Sequence, residues 1–228
     1  MKFDIKIKKE VRSSVKYIDI SWPITSEITA YKNKKTVAVV PLKSFVSDKV
    51  RESAVSLNVH TGTHIDAPAH FLENGNSIGS VDLNAFVGQC RVIDLSDVEC
   101  VIAVKDLQMK NIKKNERILL KTRNSLLKNT ALFNPNFVYL SLQAAEYLVE
   151  KKITAVGIDY LGIERAQPRH ETHTVLFKNS IGIIEGLRLK DVKEGQYFLC
   201  CLPLAFKDLE ASPARAVLLE LQKTTLAD

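Results

Sequence analysis

The 228-residue chain contains no apolar run near the roughly 20 residues that would span a bilayer, so a membrane-spanning class is not expected. It has four cysteines, Cys90, Cys100, Cys200 and Cys201, with no CxxC spacing. Cys200 and Cys201 are adjacent in what reads as a buried strand, and reduced structural thiols are the expected state. Nine glycines are present, but none forms a Gly-rich strand-to-helix turn that would cradle a phosphate or dinucleotide. A G-x-S-x-G elbow is also lacking, which argues against a serine hydrolase. The opening "MKFDIKIKKEVR" has no continuous apolar core of the secretory kind, so a cytoplasmic location is expected.

What is present is ordinary for a globular protein: 46% hydrophobic and 25% charged residues. The net charge of +6 comes from lysines and arginines spread along the whole chain. The denser clusters, "KIKKEVR" and "KNKK", lack interleaved aromatics, so a solvated surface is expected and not a nucleic-acid groove. No linker or repeat divides the sequence, and residues 1–228 read as one domain.

Short segments rich in Val, Ile and Leu recur: "YIDISW", "TVAVVPL", "AVSLNVH", "CRVIDL", "RILLKT", "FVYL", "AVGIDY", "IGIIEGL", "QYFLCCLPL" and "ARAVLLEL". Their length and composition predict strands. The clearest helix is predicted from about Ser141 to Lys152, with Ser141 as N-cap and Ala144, Ala145, Leu148 and Val149 on one face. Weaker helical segments are "VDLNAF", "AVKDLQM" and the stretch around "ETHTVLFKN". The expected fold class is a strand-rich α/β domain.

Three of the five histidines lie in "NVHTGTHIDAPAHF", residues 58 to 71. Alternation in "AVSLNVH" puts Val55, Leu57 and Val59 on one strand face and His60 at the strand's end. Gly62 permits a tight turn, and Pro68 interrupts any helix there. A bend of this kind can bring His60, His64 and Asp66 together, two imidazoles and a carboxylate suited to Zn²⁺, Mn²⁺ or Fe²⁺. Hydrogen-bonded histidines in a surface loop are the alternative. The other two histidines, His170 and His173, precede "GIIEGL", where Glu185 is either exposed by alternation or buried against a cation.

These residues resemble a known family. "HTGTHIDAPAHF" is similar to the signature of the cyclase / bacterial kynurenine formamidase family of metal-dependent hydrolases, which includes isatin hydrolase. The run from "THTVLFKNSIGIIEGL" to "SPARAVLL" and the opening "IDISWPIT" resemble the same family, so the likeness covers nearly the whole chain. It implies the swivelling β/β/α fold, a homodimer or homotetramer, and a small-molecule substrate. By position it implies the metal ligands His60, His64, Asp66, His173 and Glu185, with Asp66 and Glu185 bridging. One or two Zn²⁺ ions are implied, with a single Mn²⁺ as the alternative. His70 corresponds to the proton donor and acceptor, and His170 to a rim residue or a partner of a ligand.

The activity implied is cleavage of the C–N bond of a small amide, an aryl formamide such as N-formylkynurenine. An isatin-type lactam or another small carbonyl compound is the alternative substrate, and a non-catalytic metal-binding protein the alternative class. The chain departs from the family where formamidases carry Trp-Pro-Gly-Asp: it reads "ITAYKNKK", leaving Tyr31 as the candidate aromatic for substrate binding. Phe71 either lines the pocket or packs in the core, and Trp22 is expected in the core or an interface.

Overall fold

The computed structural model describes residues 16–34 and 37–220. The basic stretch before Lys16, and Lys35 of the "KNKK" cluster, lie outside the described residues. Among the described residues the strands in chain order are β1 (Tyr17–Asp19), β2 (Val37–Lys43), β3 (Glu52–Leu57), β4 (His64–Asp66), β5 (Val87–Asp94), β6 (Val101–Ile102), β7 (Arg117–Lys121), β8 (Tyr139–Leu140), β9 (Ala155–Ile158), β10 (Gly182–Glu185), β11 (Gly195–Pro203) and β12 (Ala211–Glu220). The α-helices are α1 (Phe45–Asp48), α2 (Val104–Gln108), α3 (Leu142–Glu150) and α4 (Glu171–Lys178).

The main sheet runs β1-β12-β11-β5-β7-β9-β10-β4, and β4 pairs back onto β12. Seven strands thus close into a barrel, with β1 continuing β12's outer edge. The strand β4 makes the closure: Ile65 is opposite Ile184 on one side and Ser212 on the other. The stretch after His60, expected as a bent loop, therefore contains the short strand that seals the barrel.

The barrel interior is filled by Ile65, Val92, Leu119, Ile184, Leu187, Leu199, Cys201, Ala216 and Leu218. Gly157 leaves room for this packing, since a Cβ there would sit 2.7 Å from side-chain carbons of Leu119 and Leu187. Residues one step along the same strands face outward. Ile93, Ile118, Leu120, Val156, Ile158 and Ile183 pack against the helices, with Leu107, Leu148 and Leu176. This two-sided burial explains why these strands read as continuous apolar runs. The pairs β5–β7, β7–β9 and β9–β10 are parallel, and their connections carry α2, α3 and α4 over the outer face.

Helix α3 begins as its sequence predicts: the Ser141 hydroxyl accepts the Ala144 N–H at 3.1 Å, and Ala144, Ala145 and Leu148 are buried. "VDLNAF" forms only a 3₁₀ turn at Leu83–Ala85. Trp22 is in the core at 2% exposure, beneath the Arg188 guanidinium. All four cysteines are free.

The hairpin of β2 and β3 departs from the expected pattern. Its strand β3 stops at Leu57, three residues before His60. Every residue from 38 to 56 is exposed, including Val39, Val40, Leu42, Phe45, Val46 and Val55. Only its base is fixed, through Val37, which packs with Trp22, Ile28 and Tyr160. Of the alternating apolar residues in "AVSLNVH", Leu57 packs at the hairpin's base against the Trp22 cluster, while Val55 is exposed among the described residues. No helix among the described residues is long and apolar enough to cross a membrane.

Candidate metal centre

On β4 the period of two puts His64 and Asp66 on the outer face, with Ile65 inward. Register then places Glu185 directly opposite His64 across the β4–β10 ladder. The crossover helix α4 covers this face and delivers His173 from its first turn. His60 comes from the turn before β4, where its backbone N–H is held by Asn58 Oδ1 at 2.8 Å.

Two glycines let these segments meet. Gly62 has φ of +64° and Gly186 φ of +71°, both left-handed conformations. A Cβ on Gly186 would lie 2.1 Å from the Gly62 carbonyl oxygen. Thr63 ties the crossing together, its hydroxyl donating to Gly186 O at 2.6 Å while accepting from Trp22 N–H at 2.7 Å.

The polar atoms converge on one point. His60 Nδ1 is 2.9 Å from Asp66 Oδ1, and His64 Nε2 is 3.4 Å from the same oxygen and 3.5 Å from Glu185 Oε2. His173 Nε2 is 3.5 Å from Asp66 Oδ2 and 3.2 Å from Glu185 Oε1. Glu185, placed by its sequence either in solvent or against a cation, is buried at 4% exposure. Its Oε1 accepts the Ile163 N–H at 2.6 Å. The His64 ring is oriented by contact of Nδ1 with Gly62 O at 2.9 Å, which leaves Nε2 for the site.

This donor set fits a divalent cation. His60 Nε2, His64 Nε2 and both Asp66 oxygens are buried without a well-formed hydrogen bond. Buried polar groups are ordinarily satisfied, and carboxylates stripped of water require positive charge. Donor atoms of His60, His64 and Asp66 lie within 4.8 Å of one another, as do those of Asp66, His173 and Glu185. Asp66 belongs to both groups.

The electrostatics show the same demand for positive charge. Burial alone would lower the His64 pKa, but Asp66 and Glu185 outweigh it and push it up to about 10. Burial likewise opposes a charged His173, yet Asp66, Glu164 and Glu185 raise it well above the usual range. Asp66 is held well below the usual carboxylate range against burial, chiefly by His64. Protons on these imidazoles balance the charge that a metal ion would balance.

His70 ends the 3₁₀ turn Pro68–His70, with Pro68 at its start. Its ring centre is 4.2 Å from that of His60 and 3.9 Å from that of Phe71. Burial, reinforced by the neighbouring His60 and His173 charges, pushes its pKa down to about 4, against the opposing pull of Asp66. The imidazole is therefore neutral at neutral pH.

These groups line a cavity of about 650 Å³ whose wall includes Tyr31, Phe71, Leu161 and Pro168 and whose rim carries Lys32 and Lys34. That size suits a small molecule. Tyr31 packs edge-on to Phe133, with ring centres 4.8 Å apart. Phe71 stacks on His170 at 4.1 Å, so it is both a wall of the cavity and a support for the histidines. His170 is half exposed at the start of α4, outside the converging donors.

The sequence reading missed Glu164. It is buried at 7% exposure between His170 and His173. It lies in an irregular loop where no periodicity marks it; proximity to two histidines in "IERAQPRHETH" was the available signal.

Comparison with known proteins identifies the family and structures that share the fold. Residues 18–165 match the family described as "Putative cyclase". A kynurenine formamidase from Bacillus anthracis is 35% identical over 205 residues, covering 89% of this chain and 97% of that protein. A solved structure described as a potential metal-dependent hydrolase with cyclase activity superposes with a TM-score of 0.83 at 40% identity, covering 92% of this chain and all of that one. Isatin hydrolase A from Ralstonia solanacearum shares the fold at 20% identity, with a TM-score of 0.78 over 92% of this chain and 94% of that one.

Proposed function

The chain belongs to the cyclase family of metal-dependent hydrolases, and from that premise we propose that it cleaves the C–N bond of an aryl formamide such as N-formylkynurenine. The observation that carries the reading is the convergence of unsatisfied imidazole and carboxylate atoms on the wall of a cavity with aromatic sides. Kinship with the Bacillus formamidase supports the substrate.

In this reading His60, His64, Asp66, His173 and Glu185 would hold one or two Zn²⁺ ions, or Mn²⁺ in their place. Bound there, a divalent cation supplies Lewis acidity toward a carbonyl oxygen and makes water a competent nucleophile near neutral pH. The chain's own residues do the rest. Tyr31 and Phe71 bind the aryl ring and keep bulk water from it. His70, neutral and beside His60, accepts a proton as the water oxygen bonds to the formyl carbon. It then returns that proton to the nitrogen as the C–N bond breaks, yielding formate and the free amine.

The same reading makes the enzyme a cytoplasmic homodimer. Its free cysteines and bacterial relatives support the location. The β2–β3 hairpin supports the dimer, because a two-stranded sheet is marginal in water unless its apolar faces are covered. A second copy offers the same patch, and two such hairpins form a self-complementary contact around a two-fold axis. The hairpin's base adjoins Lys34 and Asn58 on the cavity wall, so a partner seated there also borders the site.

An assay of N-formylkynurenine, isatin and simple aryl formamides on the metal-loaded protein tests the substrate. Formamide hydrolysis well above isatin opening is expected. Isatin as the preferred substrate, or no turnover of any of them, contradicts the reading.

A further inference from the structure

Both oxygens of Glu164 are directed at histidines. Oε2 accepts the backbone N–H of His173 at 3.1 Å and lies 3.1 Å from Nδ1 of the same residue, while Oε1 pairs with His170 Nδ1. His173 turns its other nitrogen, Nε2, toward Asp66 and Glu185. A neutral imidazole carries one proton, and Nε2 has a free lone pair only if that proton is on Nδ1. Nδ1 is buried without a well-formed hydrogen bond, and Glu164 Oε2, 3.1 Å away, is the acceptor placed beside it.

We propose that Glu164 is a positioning residue for His173: by accepting the Nδ1 hydrogen bond it fixes the tautomer and ring plane that aim Nε2 at the metal centre. His170 braces the carboxylate from outside. It adopts a left-handed backbone at the start of α4 and is held by stacking on Phe71. The proposal rests on the metal-site reading above.

A helix cap is the competing role, because Glu164 satisfies the His173 N–H just as Gln167 satisfies that of Thr172. Glu164→Gln affects the two roles unequally: its amide oxygen still satisfies the backbone N–H, but it lacks the carboxylate charge that strengthens the Nδ1 contact and makes Nε2 a better metal ligand. Zinc affinity, read by chelator competition alongside the melting temperature of the metal-free protein, is the test. The expected result is a zinc affinity about 10- to 100-fold below wild type, with little change in melting temperature. Wild-type zinc affinity in Glu164→Gln overturns the proposal.

If Glu164→Gln unfolds the metal-free protein, proton NMR of the zinc-loaded wild type decides. A hydrogen-bonded imidazole N–H resonance that is lost in His173→Asn and shifted in His170→Ala supports the proposal; absence of that resonance overturns it. A wild type that binds no zinc and no manganese would instead sink the metal-site reading itself.

Discussion

Nε2 of His173 lies 3.5 Å from Oδ2 of Asp66, joining the first turn of a helix to the strand that closes the barrel. The donor set is drawn from both segments: the β4 side offers His60, His64 and Asp66, and the α4–β10 side His173 and Glu185. The fold's contribution is to press the outer face of β4 and β10 against the crossover helix.

His70 is assigned the proton transfer and not metal binding, so the two functions should separate. His70→Ala is expected to lower kcat by about 10²- to 10⁴-fold while leaving metal content at the wild-type level. Steady-state kinetics with elemental analysis on one preparation checks this. Loss of metal in the variant would move His70 into the ligand set.

The crossing of Gly62 and Gly186 should tolerate no side chain. Gly186→Ala forces a Cβ toward the Gly62 carbonyl, 2.1 Å away, at a φ of +71°. The backbone strain alone costs about 1–2 kcal/mol, or roughly 2–8 °C for a chain of this size, and the overlap adds to it. Weaker metal binding should accompany the lower melting temperature, because Gly62 stands between His60 and His64. A variant as stable as wild type would contradict this account of the crossing.

The exposed hairpin predicts a concentration-dependent dimer. Light scattering should give twice the chain mass for wild type and one chain mass for a Leu42→Glu, Val46→Glu variant. Both side chains are exposed, at 55% and 86%, so the substitutions leave the barrel core untouched. A monomeric wild type would refute the role given to this surface.

Asp159 is fully buried, and burial pushes its pKa up to about 6 in spite of hydrogen bonds from Thr122 and Ser125. An acid with a raised folded-state pKa favours folding while protonated. That contribution is complete below its ordinary value of 3.8 and is lost as pH rises through about 6. Relative to Asp159→Asn, wild type should therefore lose up to ~3 kcal/mol between pH 4 and 7. Denaturant melts of both proteins across that range test the sign, and a difference that grows with pH would reverse it.

Much of this was legible in the sequence, for physical reasons. Strands buried on both sides appear as unbroken Val/Ile/Leu runs, and Ser141 marked the start of α3 through its hydroxyl. His60, His64 and Asp66 were visible because they lie within seven residues of one another. The joining of His173 and Glu185 to them was implied only by the family resemblance, since strand register across more than a hundred residues leaves no local trace. Strand β4 was missed because three residues between a glycine turn and a proline show no periodicity. In the hairpin, alternating apolar residues imply a covered face without saying what covers it.

Elemental analysis of wild type and Asp66→Ala, after dialysis against metal-free buffer, tests the central claim most directly. Asp66 belongs to both donor groups, so wild type should retain one to two equivalents of zinc or manganese per chain, and the variant far less. A wild type free of divalent metal, or a variant that retains the wild-type amount, would contradict the account.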